Sequence, residues 1–178
     1  MCDGEEHLLR CFLDYWITNF PDILTGWNVE LYDVPYICGR LERLFGDKEM
    51  KQISPWGIVH RNDIEIKGRE QIVYDVYGIN VVDYMDLYKK FTYTNQESYR
   101  LDHIAFVELG QRKLDHNEFE NFKQFYTQDW QKFIDYNILD VELVLRLEEK
   151  MKLIELAVAL AYDAKVNIRD VYYQVRMW

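Results

Sequence analysis

Apolar residues recur at helical spacing in the first quarter of the chain, before the pattern changes. Residues 5–19 place their apolar side chains on one face of a helix, for which Asp3 is a suitable N-cap. Residues 34–45 have the same periodicity, and Pro35 is acceptable in a first turn. The pattern predicts two amphipathic helices, separated by a short apolar strand over residues 22–27.

The stretch over residues 57–77 alternates between apolar and polar positions and is rich in Ile and Val. Lys67, Gly68 and Arg69 lie in its middle and have the character of a turn. These features predict a β-hairpin, inserted between helical segments, with its tip near Gly68.

The second half of the chain returns to helical spacing after one more strand over residues 79–84. Short helices are predicted over residues 86–91, with Asp86 as the cap, and over residues 101–109. Residues 129–165 contain no Gly or Pro, so they predict one long helix or two closely joined helices. This order of strands and helices predicts a mixed α/β fold with long C-terminal helices.

Composition narrows the class of protein. The 178 residues have the length of one domain, and hydrophobic residues make up 49%, which excludes a disordered chain. The net charge of −10 argues against strong independent binding of nucleic acid, because phosphate neutralisation needs basic residues. The start of the chain lacks the features of a signal peptide, and the apolar run over residues 156–162 is too short to span a membrane.

The spacing of sulfur and imidazole side chains predicts no zinc site. No C-x-x-C pair is present, and the odd number of cysteines suits a reducing compartment better than a disulfide framework. The residues are Cys2, Cys11, Cys38, His7, His60, His103 and His116.

Asn28 and Asp33 lie between a predicted strand and a predicted helix, where ligands of α/β proteins commonly bind. An aspartate in this position can coordinate a divalent cation through oxygen. The structural alternative is that Asp33 simply caps the helix that starts at Val34.

Tyr136 and Asp140 are four residues apart in a predicted helix, so their side chains project from one face. A phenol and a carboxylate that face one cleft can orient a water molecule and hold a cation. The alternative is an exposed aspartate next to a tyrosine of the core.

Taken together, the two pairs follow the order N-x-x-x-Y-D and, about a hundred residues later, Y-x-x-x-D. The segments TGWNVELYDVPYI, DYMDLYKKF, SYRLDHIAFVELG and YNILDVELV occur in that order. Over nearly its whole length the chain resembles the proofreading exonuclease domain of family B DNA polymerases of T-even-type phages. The resemblance implies a partial ribonuclease-H-like fold and 3′–5′ exonuclease chemistry on single-stranded primer ends, using two Mg²⁺ or Mn²⁺ ions.

The resemblance also implies roles for the individual residues. Asp33 and Asp140 match two metal-binding carboxylates, and Tyr136 matches the tyrosine that helps to position the attacking water. Asn28 matches the asparagine beside the site. The remaining two carboxylates belong to a D-x-E motif that precedes this region in the family. Asp3-Gly4-Glu5 has the right letters, but it lies in an acidic stretch that leads into a helix, so we do not expect it to be that motif.

Without the D-x-E strand, the isolated chain is expected to have an exposed sheet edge and little or no activity. The rest of the polymerase would complete the domain: the leading exonuclease strands, palm, fingers and thumb. These parts would lie on a separate chain if the enzyme is split, or on the same chain if the present sequence is a fragment. Self-association could cover the same edge in isolation. A non-catalytic subunit or a protein or DNA interaction module is the alternative function, which the acidic charge favours.

Three basic residues are candidates for contacts with DNA. Lys67 and Arg69 at the predicted hairpin tip can reach phosphates, since the resembling polymerases use such a hairpin to separate primer from template. Lys89 lies next to aromatic residues, as in channels for single strands, although a solvated helix face is an equal alternative. The resemblance implies a place in the replisome, in the cytoplasm of an infected bacterial host.

Overall fold

The computed structural model describes residues 2–66, 68–111 and 122–172, and it mixes helices with short strands. The helices are α1 (Glu5–Thr18), α2 (Asp33–Phe45), α3 (Asp47–Met50), α4 (Tyr84–Phe91), α5 (Leu101–Leu109), α6 (Phe122–Gln128), α7 (Trp130–Met151) and α8 (Leu153–Ala164), with 3₁₀ turns at Lys51–Ile53 and Ile168–Tyr172. The strands are β1 (Ile23–Gly26), β2 (Val59–Ile66), β3 (Arg69–Val76) and β4 (Asn80–Asp83). The mixed helix-and-strand class predicted from the sequence is confirmed.

Strands β1 and β4 pair in parallel, with Ile23 opposite Asn80 and Gly26 opposite Asp83. The hydroxyl of Thr25 donates a hydrogen bond of 2.8 Å to the carbonyl oxygen of Val82 and reinforces this pairing. Because the strands are parallel, their carboxyl ends lie at the same edge, where the chain enters α2 and α4. This edge positions the candidate site.

Both faces of this pair of strands are covered by apolar side chains. Ile23 and Val82 belong to a cluster built from α4, α5, α7 and α8. Their neighbours Leu24 and Val81 belong to a second cluster built from α1, α2 and the base of the hairpin. Successive side chains of a strand point to opposite faces, so the sheet lies between two helical layers.

Strands β2 and β3 form an antiparallel hairpin in which Ile66 is opposite Arg69. Gly68 in the connection has a φ of 76°, a left-handed value that glycine adopts without steric cost. Val59 and Val76 at the base are buried in the second cluster, whereas both sides of the tip are more exposed. The hairpin is therefore anchored at one end only.

Residues 129–165 form two helices rather than one. Lys152 has a left-handed φ of 54° and separates α7 from α8, so the closely joined pair replaces a continuous helix. The side chain of Asp129 accepts a hydrogen bond from the backbone N–H of Lys132 and caps the start of α7.

Two of the predicted caps are wrong. The N-cap of α1 is Gly4, because the carboxylate of Asp3 lies beside His7 instead, 3.5 Å from its Nδ1 atom. Helix α4 begins at Tyr84, two residues earlier than predicted, so its cap is Asp83 and not Asp86.

Within the described parts of the chain, no helix combines the length and the apolar character that crossing a membrane requires.

Candidate functional site

The loop over residues 27–32 joins β1 to α2 and carries the first pair of candidate residues. Asn28 has a left-handed φ of 66°, a conformation that asparagine tolerates better than most residues. Its carbonyl oxygen accepts a hydrogen bond of 3.1 Å from the N–H of Tyr32, and that of Val29 accepts one of 3.0 Å from Val34. The loop thus folds into a compact turn that delivers Asp33 at the start of α2.

Asp83, the last residue of β4, holds this loop in place. Its side chain is buried, with the residue only 2% exposed. Oδ1 accepts hydrogen bonds from the N–H groups of Asn28 (3.1 Å) and Met85 (3.0 Å), and Oδ2 accepts one from Glu30 (3.3 Å). One carboxylate therefore ties the loop to β4 and caps α4 at the same time.

Burial raises the pKa of Asp83 to about 6, and the nearby charge of Asp86 acts in the same direction. The three backbone N–H groups lower the pKa of Asp83, but they offset only part of the burial. The sequence pattern alone did not predict that Asp83 holds the loop. An aspartate between the end of a strand and the start of a helix is the pattern that could have identified it as a cap.

Arg169 links the same loop to the hairpin. Its Nη2 atom donates to Oε1 of Glu30 at 2.8 Å, and its Nη1 atom donates to Oδ1 of Asp75 on β3. Asp75 also accepts a hydrogen bond of 2.7 Å from the side-chain amide of Asn62 on β2. The guanidinium group thus connects three parts of the fold that are distant in sequence.

Asp33 is the first residue of α2, whose N-cap is Tyr32, so the alternative in which Asp33 caps this helix is wrong. The residue is exposed, although the protein around its carboxyl displaces enough water to raise the pKa of Asp33. A hydrogen bond with its own backbone lowers the pKa by a smaller amount. The carboxylate is therefore accessible to a ligand while being less solvated than a free one.

Tyr136 and Asp140 lie one turn apart in α7. The ring of Tyr136 is half-buried and meets the buried ring of Phe125 edge-on, with 5.7 Å between the ring centroids. Asp140 is also half-buried, and its Oδ1 atom is removed from solvent. Helix α7 is held by Leu143, Val144 and Leu147, which are buried in the first cluster.

The two motifs border the same apolar cluster. Trp27, which precedes Asn28, and Leu139, which precedes Asp140, both pack against the cluster that contains Val82 and Leu143. The indole N–H of Trp27 donates a hydrogen bond of 3.0 Å to the carbonyl oxygen of Tyr99 and secures the start of the loop. Convergence of the Asp33 and Asp140 carboxylates on one cation stays a prediction.

The donor set suits a hard divalent cation. Both candidate ligands are carboxylates, whose oxygen atoms are the ligands that Mg²⁺ and Mn²⁺ prefer. The carboxylate of Asp33 has lost part of its water, and a bound cation can compensate this loss. The residues present therefore fit the metal that the resemblance implies.

The basic candidates have different surroundings. Lys67 lies outside the described residues. Arg69 is exposed at the first position of β3. Lys89 is exposed on α4, where its Nζ atom lies 3.2 Å from Oδ1 of Asp86 and 5.5 Å from the ring centroid of Tyr99. A phosphate that bound Lys89 would therefore have to replace the carboxylate of Asp86.

The chain is similar to a family of known proteins and to individual members of it. Residues 1–104 match the family described as DNA polymerase family B, exonuclease domain. The chain is 38% identical over 176 residues to a DNA-directed DNA polymerase of Escherichia phage RB69 and 34% identical over 176 residues to that of Enterobacteria phage T4. A DNA polymerase of Orgyia pseudotsugata multicapsid polyhedrosis virus is 28% identical over 155 residues. These matches cover 99%, 99% and 85% of this chain but only 19%, 19% and 15% of the relatives, so the chain spans about a fifth of their length.

Proposed function

The chain belongs to the exonuclease domains of the family B DNA polymerases, and from this premise we propose that it takes part in 3′–5′ proofreading in a phage polymerase. The reaction would be hydrolysis of the terminal nucleotide of a single-stranded primer end. The place of action would be the replisome in an infected bacterial cell. The observation that carries the proposal is that Trp27, beside Asn28, and Leu139, beside Asp140, pack against the same apolar cluster.

Each candidate residue would have a role that follows from its chemistry. Asp33 and Asp140 would supply oxygen ligands to Mg²⁺ or Mn²⁺. When bound, such cations activate water and stabilise the leaving oxygen. Tyr136 would hold the attacking water through its hydroxyl, with its ring braced by Phe125. Asn28 would line the site at the turn that Asp83 holds in place.

The hairpin and α4 would make the contacts with DNA. Lys67 and Arg69 would contact phosphates at the hairpin tip, and the exposure of Arg69 supports this placement. Lys89 would contact the single strand from α4, although binding would require it to exchange Asp86 for a phosphate. These contacts position the strand without reading its sequence.

The remaining parts of the polymerase are the proposed partners. In the described residues β1 and β4 form a sheet of two parallel strands, whereas most sheets contain about four to six strands. Leading exonuclease strands that carry the D-x-E motif would extend this sheet and bring the missing carboxylates. Palm, fingers and thumb would complete the enzyme, on the same chain or on another.

Reconstitution tests the proposal. The chain is mixed with a separately expressed polypeptide that contains the leading exonuclease strands, and Mg²⁺-dependent degradation of a 3′-labelled single strand is measured. We expect activity in the mixture and little or none in either part alone. Asp33→Ala and Asp140→Ala should abolish the activity, whereas Asp163→Ala, an exposed acid on α8, should leave it unchanged.

Two outcomes would overturn the proposal in different ways. Activity that survives both Asp33→Ala and Asp140→Ala would show that the metal ligands are misassigned. Binding of the two polypeptides without restored activity, at saturating Mg²⁺, would favour the non-catalytic module.

A further inference from the structure

Three side chains that we expected to be unrelated lie together at the start of the chain. The structure places one ligand atom from each of Cys2, His7 and Cys11 within 4.8 Å of the others. The sequence spacing did not predict that these three side chains lie close together. Sequence spacing misses it because Cys2 precedes α1 and only folding brings it back along the helix.

Local structure explains the cluster. His7 and Cys11 are four residues apart in α1, so their side chains are neighbours on one face. The segment before the helix lies against this face, because the backbone N–H of Asp3 donates a hydrogen bond of 3.2 Å to Nδ1 of His7. Cys2 is thereby held next to the other two side chains, and its side chain forms a hydrogen bond with that of Cys11.

We propose that Cys2, His7 and Cys11 bind a divalent cation of borderline softness, with Zn²⁺ as the chemical type. Two thiolates and one imidazole are ligands that zinc prefers, in contrast to the hard oxygens at Asp33 and Asp140. The two sites therefore differ in chemistry as well as in position. The proposal does not depend on the proofreading function.

Distances support a tetrahedral site after a small adjustment. Zn–S and Zn–N bonds of about 2.3 and 2.0 Å imply ligand atoms roughly 3.3–3.8 Å apart, so the present separations, all within 4.8 Å, need to close by no more than about 1.5 Å. All three residues are exposed, which leaves room for that movement. Water would supply the fourth ligand.

Cation binding at this cluster is linked to protons. Zinc coordinates thiolates, so the thiol protons of Cys2 and Cys11 must leave when the ion binds. Two adjacent thiolates repel each other, and a divalent charge between them removes that repulsion. Binding should therefore release protons and weaken as the pH falls.

Titration of the reduced chain with Co²⁺ and Zn²⁺ tests the site. We expect one equivalent of Co²⁺ to produce the charge-transfer absorption of a cobalt–thiolate bond, and Zn²⁺ to displace it. Cys2→Ser, Cys11→Ser and His7→Ala should each weaken Zn²⁺ binding ~10-fold or more, as expected for loss of a ligand. Circular dichroism of each variant would verify that α1 remains folded.

Two controls separate this site from others in the chain. Cys38→Ala removes a thiol that is fully buried in the second apolar cluster and should leave Zn²⁺ affinity unchanged. The double variant Asp33→Asn with Asp140→Asn should also leave it unchanged. Absence of the cobalt–thiolate absorption in the reduced wild type, full affinity in Cys11→Ser, or loss of binding in the double variant would each overturn the proposal.

Discussion

Asp83 shows how a single side chain can set the geometry of a loop. From the sequence, only Asn28 and Asp33 were predicted to matter in this loop. A buried carboxylate loses the solvation of water, and three backbone N–H groups replace only part of it. The hydrogen bonds of Asp83 organise the loop, although burial makes the ionised form of its carboxyl less favourable than in water. Residues at functional sites often have this character, because the required arrangement is seldom the most stable one.

Replacing this carboxylate should destabilise the chain more than replacing its neighbour on α4. Asp83→Ala removes a helix cap and leaves the N–H groups of Asn28 and Glu30 without their acceptor. We expect a loss of about 2–4 kcal/mol in the free energy of unfolding, from capping and from buried unpaired donors together. Asp86→Ala, which removes only a pair with the exposed Lys89, should cost less than about 1 kcal/mol. Urea unfolding measures both values, and equal losses would contradict this role of Asp83.

The raised pKa of Asp83 predicts how the stability of the fold changes with pH. In the unfolded chain this group titrates near its ordinary value of 3.8, and in the folded chain at about 6. Between these values the folded state binds more protons, so the contribution of Asp83 to stability is greatest below pH 4 and is lost as the pH rises to about 6. The shift corresponds to about 3 kcal/mol.

Asp83→Asn isolates this contribution, because every other titrating group is common to both proteins. The wild type should lose stability relative to the variant between pH 4 and pH 6, as measured by urea unfolding at a series of pH values. Parallel stability profiles of the two proteins would show that the carboxyl does not titrate in this range.

At the scale of elements, the hairpin is fixed at its base and linked to the candidate site through Arg169. The guanidinium group joins Asp75 on β3 to Glu30 in the loop before α2, so movement of the hairpin and movement of the loop are coupled through one side chain. Both ion pairs are partly exposed, and pairs of this kind contribute little to overall stability. Their main effect is to fix the position of the hairpin relative to the loop, and not to stabilise the fold.

The turn from β3 to β4 depends on Gly78, which has a left-handed φ of 91°. A Cβ atom there would lie 2.4 Å from Cγ of Pro55, so an alanine meets both backbone strain and a steric clash. We expect Gly78→Ala to lower the free energy of unfolding by about 3 kcal/mol or more, as measured by chemical denaturation.

Two other glycines distinguish the effect of backbone strain from that of the steric clash. Gly46 has the same φ of 91° but open space at the Cβ position, so Gly46→Ala should show only the backbone strain of about 1–2 kcal/mol. Gly39 lies within α2 with open space around it, so Gly39→Ala should stabilise the chain by about 0.5–1 kcal/mol. If Gly78→Ala and Gly46→Ala had equal effects, the contact with Pro55 would be unimportant.

For the whole molecule, local patterns predict the elements well and the contacts between them poorly. Helical and alternating spacing identifies α2, the hairpin and β4, since each is determined by which residues face the two apolar clusters. Asp83 and Arg169 are different, because the partners that they bind in the loop before α2 lie 53 residues or more away in sequence. The cluster of Cys2 with His7 and Cys11 likewise depends on a turn before α1 that no periodicity describes. The roles of Asp33, Tyr136 and Asp140 come from resemblance to a family and stay predictions.

Two opposing properties of the whole molecule decide whether isolated copies associate. In the described residues β1 and β4 pair only with each other, and a strand edge of this kind favours pairing with another chain. A net charge of −10, in contrast, repels a second copy. Salt shortens the range of this repulsion from about 30 Å at 0.01 M to about 3 Å at 1 M, but it leaves backbone hydrogen bonds intact. We therefore expect a monomer at low salt and growing self-association at high salt, measured by size-exclusion chromatography with light scattering. Association that decreases with added salt would show that ion pairs, and not the sheet edges, join the copies.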